Sequence, residues 1–352
     1  MADRIYLDHA ATTPMLPEAM AAAAQGMRRW ANPSSPHAEG RAARAALEEA
    51  RARIAAAYGW ERDIVLTSGA SESLALAMTR AMVPGRAVTA VEHDAVMRLS
   101  EGAALLPVDA DGMLGEAVFP PNALVTVQWA NSETGVRQPI ADIAGRVHAA
   151  GSLLLVDAAQ MPAGADPQVM AHADFVAVSA HKRGGPPGIG ALLVRDFATL
   201  SPTGGQERGY RPGTENLPGA LGYAAALAEP EPLTHYERLR AQLDDAIVAA
   251  GGEIVGANSP RHPAIGAYRM PGIASAAALI QLDSAGFAVS AGSACASGSL
   301  KPSHVLRAMG MSDEALREVV RVSFGRTTTE TEIATFAAAW RSMARPRSRI
   351  TI

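Results

Sequence analysis

The sequence predicts an α/β protein built on a mostly parallel sheet, and its apolar pattern carries that prediction. From about residue 64 onward, short apolar runs such as "LVTVQWA", "SLLLVDAA" and "FVAVSA" alternate with longer amphipathic stretches such as "IADIAGRVHAA". Apolar runs of this length, separated by helices, are typical of strands that helices cover on both faces. We therefore expect a helix-flanked sheet across residues 62–215.

Helices are predicted ahead of this sheet, at residues 17–30 and 39–58, because apolar side chains recur there at helical spacing. After the sheet, "THYERLRAQLDDAIVAAGG" predicts a long helix that ends at a glycine pair. The rest of the chain mixes strand patterns ("AIGAYRMP", "VRVSFG") with helical ones ("ASAAALIQLDSAG", "TETEIATFAAAWRSMA"). We expect a large domain at residues 15–233 and a smaller α+β domain formed by residues 1–14 and 234–352.

The composition favours an enzyme or binding protein over a nucleic-acid or membrane protein. The 352 residues carry 31 Lys and Arg against 35 Asp and Glu, so the net charge of −4 does not attract nucleic acid or an anionic membrane. No apolar stretch approaches the roughly 18–20 residues of a membrane span, and the N-terminus lacks a signal-peptide pattern. A single cysteine excludes an intrachain disulfide and a Cys-x-x-Cys metal knuckle. We expect a cytoplasmic protein in reducing conditions, with no metal site.

Polar residues follow the predicted strands at the edge where an open parallel sheet binds ligands. The turn "TSGASES" opens a helix whose free N–H groups suit a phosphate, although Ser71 could instead be a simple helix cap. Asp157 ends "SLLLVD", where a buried carboxylate is either a structural group or a partner for a ligand cation. Lys182 follows "FVAVSAH"; such a lysine is usually exposed, but the loop "GGPPGIG" after it lets the backbone pass close to a bound molecule.

Together these parts fit one cofactor, pyridoxal 5′-phosphate, which needs an amine, an acid at its ring nitrogen and a cup for its phosphate. Lys182, Asp157 and the "SGAS" turn would supply them. His93 follows the run "RAVTAV" and falls on the same edge of the sheet. A lone histidine is more often a surface or core residue, but an imidazole over the pyridine ring would both stack and carry protons.

With these motifs the chain resembles the pyridoxal-phosphate-dependent cysteine desulfurases, the NifS/IscS-like branch of the class V aminotransferases. The resemblance extends from "YLDHAATTP" to "VRVSFGRTTTETEI", and the order and spacing of its motifs are specific. It implies the fold-type I architecture, with a mostly parallel seven-stranded-type sheet and a smaller lobe. It also implies a homodimer that converts L-cysteine to L-alanine and passes the sulfur to an acceptor protein, for iron–sulfur cluster assembly or thiolation.

The resemblance assigns roles to the residues around the cofactor. "SAHK" matches the family's lysine motif, so Lys182 would form the imine with the cofactor, and Ser179 and His181 would lie near the phosphate. By the same matching, the other cofactor-binding residues are Asp157 at the ring nitrogen, Gln160 at the ring hydroxyl, Ala70 and Ser71 at the phosphate, and Thr214, which would contact the phosphate of the partner subunit.

Further segments resemble the parts that bind and attack the substrate. "VVRVSFGR" implies that Arg321 clamps the substrate carboxylate, and "ANPSS" places Asn32 near it. "SAGSACASGSLKPS" resembles the family's catalytic-cysteine loop, so Cys295 would attack the substrate sulfur and carry it as a persulfide, with His93 managing protons. A lone cysteine is more often a small buried apolar residue, but its Ser, Gly and Ala neighbours have no bulk to bury it.

The chain departs from the family pattern at Ser132 in "WANSETGV", where the family usually has an asparagine that contacts the ring oxygen. The shorter serine would reach that oxygen through water, or Gln160 would take over the contact. In "GGQERG" a glutamine stands where histidine is common. Alternatives for the whole chain are a selenocysteine lyase, a class V aminotransferase, and a non-catalytic partner protein on the same fold; an aminotransferase leaves Cys295 without a role.

Overall fold

The chain forms strands both in its N-terminal segment and throughout its later part. The computed structural model describes residues 4–291 and 302–344. Within these ranges the strands are β1 (Ile5–Tyr6), β2 (Asp63–Thr67), β3 (Gly85–Thr89), β4 (Ala104–Leu106), β5 (Ala123–Gln128), β6 (Leu153–Asp157), β7 (Phe175–Ser179), β8 (Gly190–Val194), β9 (Glu253–Ile254), β10 (Ile265–Arg269), β11 (Phe287–Ala288) and β12 (Val319–Ser323).

The helices confirm the predicted segments to within a residue or two at most ends. In the described ranges they are α1 (Pro17–Arg29), α2 (Ala38–Tyr58), α3 (Ala70–Arg80), α4 (Asp94–Met97), α5 (Ile140–Ala149), α6 (Pro167–His172), α7 (Leu217–Ala228), α8 (Leu233–Ala249), α9 (Ser275–Ser284), α10 (His304–Ala308) and α11 (Glu330–Ala344). None of them combines the length and the apolar character needed to cross a membrane.

A seven-stranded sheet forms the centre and confirms the mostly parallel α/β architecture. Its strands lie in the order β2, β8, β7, β6, β5, β3, β4, and only β8 runs antiparallel to its neighbours. Successive side chains of β6 enter different apolar clusters: Leu154 and Val156 pack with α2, α5 and α7, whereas Leu155 packs with α3. Because a strand presents alternate residues to opposite faces, this pattern shows helices on both sides of the sheet.

A second apolar core belongs to the small antiparallel sheet of β12, β10 and β9 and to the helices α8, α9 and α11. Trp340 of α11 packs edge-on against Tyr268, Phe336 packs edge-on against Phe287, and the two α11 rings are tilted against each other. The N-terminal segment joins this core through Leu7, which is fully buried. The division of the chain into domains at residues 14 and 233 stays a prediction.

A buried ion pair pins the segment at residues 203–214 to the large sheet. The Glu207 carboxylate accepts hydrogen bonds from Arg51 Nη1 at 2.6 Å and Nη2 at 2.9 Å, and from the Leu66 amide at 2.9 Å. Glu207 and Arg208 have φ values of 49° and 56°, which residues with a side chain rarely adopt. The ion pair therefore holds a strained backbone in place.

Replacing Arg51 by methionine is expected to lower the free energy of unfolding by about 3–5 kcal/mol, because the Glu207 charge would remain buried without its partner. Urea unfolding followed by circular dichroism measures this loss. As a matched control, Arg307→Met removes an ion pair to Asp313 at 2.8 Å whose side chains are 55% and 70% exposed. The control is expected to lose much less stability, because water screens an exposed ion pair. Equal losses in the two variants would contradict the role of burial.

Candidate active site

Most of the predicted site residues line one open cavity of about 180 Å³. It lies at the C-terminal edge of the sheet because the parallel strands β2, β5, β6 and β7 all end there. The predicted residues in its lining are Ala70, Ser71, His93, Ser132, Asp157, Gln160, Ser179, His181 and Lys182.

The turn between β2 and α3 forms one end of the cavity. Helix α3 begins at Ala70, and its N-cap is Gly69, so the alternative interpretation of Ser71 as a helix cap is wrong. Gly69 has a φ of 150°, a conformation essentially restricted to glycine. A Cβ atom on Gly190 would lie only 2.6 Å from the Gly69 Cα, so the adjacent strand also requires glycine. Ala70 and Ser71 thus present the positive end of the helix to the cavity.

The N-terminal segment meets Lys182 through the Ala10 carbonyl. This oxygen accepts hydrogen bonds from Lys182 Nζ and from Gln160 Nε2, both at 3.0 Å. The N-terminal segment also contacts the residue before Lys182, because the Thr13 amide donates to the His181 carbonyl at 2.9 Å. Sequence reasoning missed the role of Ala10, because a backbone carbonyl leaves no trace in the sequence.

Two carboxyl groups of different character lie at this edge of the sheet: Asp157 lines the cavity, and Glu92 is buried near it. Asp157 ends β6, and its Oδ1 accepts the Ala159 amide at 3.0 Å. Glu92 is fully buried, and its Oε1 accepts hydrogen bonds from Thr89 Oγ1 at 2.6 Å and from the Gln128 amide at 2.8 Å. Burial raises the pKa of Glu92 to about 8, with a further contribution from the charge of Asp157. Glu92 therefore keeps its proton at neutral pH.

Sequence reasoning missed Glu92, although it directly precedes His93. His93 caps the short helix α4, because its Nδ1 accepts the Ala95 amide at 3.1 Å. That bond makes Nδ1 the acceptor, so the proton of a neutral imidazole is on Nε2. The His181 ring pairs with Thr12 Oγ1 at 3.2 Å. Burial lowers the pKa of His181 to about 4, assisted by the charges of Lys182 and Arg183.

Three predicted residues are described but do not line the cavity. Arg321 is buried behind its wall, where Nη1 donates to the Ser132 carbonyl at 3.0 Å and Nη2 to Asp8 Oδ1 at 2.7 Å. Asn32 is exposed and accepts the Ser34 amide at 2.8 Å. Thr214 is also exposed.

The predicted catalytic Cys295 lies outside the described residues. Beyond it in the chain, Ser303 Oγ donates to Glu133 Oε2 at 2.6 Å, and His304 Nε2 contacts the Glu92 carbonyl at 2.9 Å. These two contacts attach the start of α10 to the loops that carry Ser132 and His93. Within the described ranges, His, Cys, Asp and Glu side chains do not converge in threes to hold a metal ion.

Comparisons with known proteins agree with this geometry. The family described as aminotransferase class-V matches residues 5–336. The chain is 38% identical to a cysteine desulfurase of Cereibacter sphaeroides, over 94% of this chain and 93% of that protein. It is 37% identical to the putative cysteine desulfurase IscS 1 of Bacillus subtilis, over 95% of this chain and 97% of that protein.

Solved structures show the same likeness. A NifS-like protein superposes with a TM-score of 0.85 at 28% identity, over 97% of this chain and 99% of the other. SspA in complex with cysteine superposes with a TM-score of 0.78 at 29% identity, over 92% of this chain and 100% of the other. Fold and cavity together define an enzyme of the pyridoxal-phosphate fold-type I architecture. The chain belongs to the class V aminotransferase family, within its NifS/IscS-like cysteine desulfurase branch.

The buried Glu92 predicts a specific dependence of stability on pH. Between its unfolded pKa of about 4.5 and its folded pKa of about 8, the unfolded chain has lost a proton that the folded chain keeps. Stability therefore falls as pH rises through this window. Glutamine at this position still accepts hydrogen bonds but cannot titrate, so Glu92→Gln should gain stability relative to wild type from about pH 5.5 to 8 and then level off.

Thermal midpoints of both proteins across this pH range measure the effect. The control is Glu330→Gln, because the Glu330 side chain is 64% exposed and has no buried charge to relieve. The difference in thermal midpoint between Glu330→Gln and wild type should not change across this pH range. A pH-independent difference for Glu92→Gln would contradict a protonated carboxyl in the folded protein.

Proposed function

We propose that the protein is a pyridoxal 5′-phosphate-dependent cysteine desulfurase, which transfers sulfur from L-cysteine to Cys295 and releases L-alanine. The observation that carries the proposal is the meeting of Lys182, Asp157 and His93 in one cavity, each from a different part of the sheet edge. The relatives named cysteine desulfurase support it, as does the similar structure of SspA in complex with cysteine.

The cavity has the donors and acceptors that the cofactor requires. The phosphate suits the N-terminus of α3, where the first-turn amides lack intrahelical partners and the N-cap, Gly69, has no side chain to cover them. The ring nitrogen needs an acid, and the aldehyde needs an amine. When bound, the cofactor supplies that aldehyde and a protonated ring that accepts electrons from the substrate. The residues that would hold it are Lys182, Asp157, Gln160, Ser132, Ala70, Ser71, Ser179 and His181, with Thr214 from the partner subunit.

Lys182 is suited to proton transfer because it combines an amine with a fixed position. Its Nζ donates to the Ala10 carbonyl at 3.0 Å, which keeps the amine on the cavity floor. We propose that this amine takes the α-proton of the substrate. His93, whose Nδ1 is occupied by the Ala95 amide, would move protons through Nε2.

The sulfur step balances without an added oxidant or reductant. The thiolate of Cys295 attacks the sulfur of L-cysteine, forming an S–S bond as the C–S bond breaks. The carbon keeps the electron pair of the broken bond and takes up a proton, which yields L-alanine. Cys295 retains the sulfur as a persulfide. Arg321 and Asn32 would bind the substrate carboxylate, and an acceptor protein would then take the sulfur for iron–sulfur cluster assembly or thiolation.

We further propose a cytoplasmic homodimer in which each subunit completes the site of the other. Thr214 is exposed and lies outside the cavity of its own chain. It belongs to the segment that the Arg51–Glu207 ion pair holds in a strained conformation. A rigid, exposed segment of this kind is suited to reach the phosphate in a partner subunit.

Replacing Cys295 by serine is expected to abolish formation of L-alanine from L-cysteine, because no other thiol exists in the chain to accept the sulfur. Chromatographic detection of L-alanine measures the loss. Borohydride reduction and mass spectrometry should still find the cofactor on Lys182 in this variant, whereas Lys182→Ala should lose both the adduct and the activity. Undiminished L-alanine formation by Cys295→Ser would rule out the sulfur-carrier role.

Mixed dimers test whether Thr214 acts across the interface. Alone, Thr214→Val should weaken cofactor binding and Lys182→Ala should be inactive. In a mixed dimer of the two variants, the site with an intact Lys182 receives an unaltered Thr214 from its partner, so about half of the wild-type activity per dimer should return at low cofactor concentration. If Thr214 acts only within its own chain, the mixed dimer stays defective. Wild-type dimers mixed with Lys182→Ala provide the control.

A further inference from the structure

We infer that Asp8 is a positioning residue that orients the Arg321 guanidinium for the substrate carboxylate, an inference that rests on the proposed function. Both oxygens of the Asp8 carboxylate are engaged. Oδ1 accepts Arg321 Nη2 at 2.7 Å, and Oδ2 accepts Ser290 Oγ at 2.8 Å. Asp8 lies in the N-terminal segment, far in sequence from both of its partners.

The backbone around this carboxylate fixes the three residues relative to one another. Arg321 and Ser290 exchange backbone hydrogen bonds of 2.7 Å and 3.3 Å. Asp8 forms a bridge with Ser323 of β12, whose amide donates to the Leu7 carbonyl at 2.8 Å. The Asp8–Arg321 contact is therefore part of a continuous strand arrangement, and neither side chain needs a flexible loop to meet the other.

The Arg321 side chain is 6% exposed and that of Asp8 18%, so the pair is largely shielded from water. A buried guanidinium without a counter-charge is costly, which gives Arg321 a strong preference for the geometry that Asp8 offers. Its Nη1 donates to the Ser132 carbonyl, and Ser132 lines the cavity. Its Nε has no hydrogen-bond partner among the described residues.

These contacts leave part of the guanidinium available to a ligand. An arginine carries five N–H donors in one plane, and Asp8 and Ser132 engage only one nitrogen each. A substrate carboxylate that reaches Arg321, as the proposed function requires, would meet a guanidinium whose plane Asp8 and the Ser132 carbonyl have already set. The free energy needed to order the Arg321 side chain is therefore spent on folding and not on ligand binding.

The test compares two ligands that differ only by a carboxylate, L-cysteine and cysteamine. Binding is measured by calorimetry on the cofactor-loaded protein carrying Cys295→Ser, so that no turnover occurs. Asp8→Asn keeps the shape of the side chain and removes its charge. It should weaken binding of L-cysteine by about tenfold to a hundredfold, as expected for the loss of a charge-assisted hydrogen bond. Binding of cysteamine should change by less than about threefold, because it has no carboxylate for Arg321.

Asp244→Asn is the matched control, since Asp244 also joins an arginine and a hydroxyl, with Arg261 at 2.6 Å and Tyr268 at 2.7 Å, but lines no part of the cavity. It should leave the ratio of the two affinities unchanged. Asp8→Asn added to Arg321→Met should weaken L-cysteine binding no further than Arg321→Met alone. Ser290→Ala, which removes only the second bond of Asp8, should give a smaller loss with the same ligand selectivity.

Equal losses for both ligands, additive losses in the double variant, or tighter L-cysteine binding by Asp8→Asn would each overturn the inference. Tighter binding would mean that Asp8 competes with the substrate for Arg321. If Asp8→Asn does not fold, Ser290→Ala is used instead. A loss of L-cysteine binding that exceeds its loss of cysteamine binding supports the inference, and equal losses overturn it. Failure of the proposed function is distinguishable, because it would appear as the absence of L-alanine formation by the unmodified protein.

Discussion

An amine at the end of a buried strand loses part of its water, and the protein has to offer it a replacement partner. The Ala10 carbonyl is that partner for Lys182, and it also accepts Gln160 at the same 3.0 Å distance. One backbone oxygen thus sets the positions of the amine and of an amide that faces the same cavity. Because Ala10 belongs to the N-terminal segment, the geometry of the site depends on where that segment lies.

The N-terminal segment is held in place by contacts with the small sheet and with the loop that follows β7 of the large sheet. Leu7 is buried in the core of the small sheet, and the Ala10 amide donates to Ser323 Oγ of β12 at 2.8 Å. The Thr13 amide donates to the His181 carbonyl beside Lys182. Asp8, between these contacts, reaches Arg321. The position of the small sheet therefore helps to fix the N-terminal segment at the cavity edge of the large sheet.

Charge at this edge is restricted to a few groups. Glu92 keeps its proton because it is fully buried near Asp157, and His181 stays neutral because burial disfavours its charged form. Two charged carboxylates at one strand edge would repel each other in a medium that screens poorly. A protonated Glu92 avoids this repulsion and still accepts hydrogen bonds from Thr89 and from the Gln128 amide of β5. The acid expected at the ring nitrogen, Asp157, then stands without a second negative charge beside it.

Residues 203–214 are also attached to the large sheet by a buried group, the Glu207 carboxylate. The Arg51–Glu207 pair connects this segment to α2 and to β2, the strand that leads into the turn at Gly69. The exposed Thr214 and the turn at the cavity therefore share one buried anchor. Such sharing links the surface proposed for the partner subunit to the end of the cavity proposed for the phosphate.

The sequence alone determined the fold class, the helices α1, α2, α8 and α11, and the strands β5, β6 and β7, because long periodic segments and continuous apolar runs are local signals. It also placed Asp157, Ser179 and Lys182 at strand ends. It could not reveal β4, β9 or β11, which are too short to show a pattern, nor the antiparallel direction of β8. Strand direction depends on long-range pairing, which no local stretch records.

Only the tertiary structure decided which residues meet at the site and which remain apart from it. It placed Gly69 rather than Ser71 at the helix cap, since a φ of 150° requires glycine there. It brought Asp8 to Arg321 across most of the chain and gave Lys182 the Ala10 carbonyl as its partner. Such contacts depend on burial and on hydrogen bonds between distant segments, and these exist only once both cores have packed.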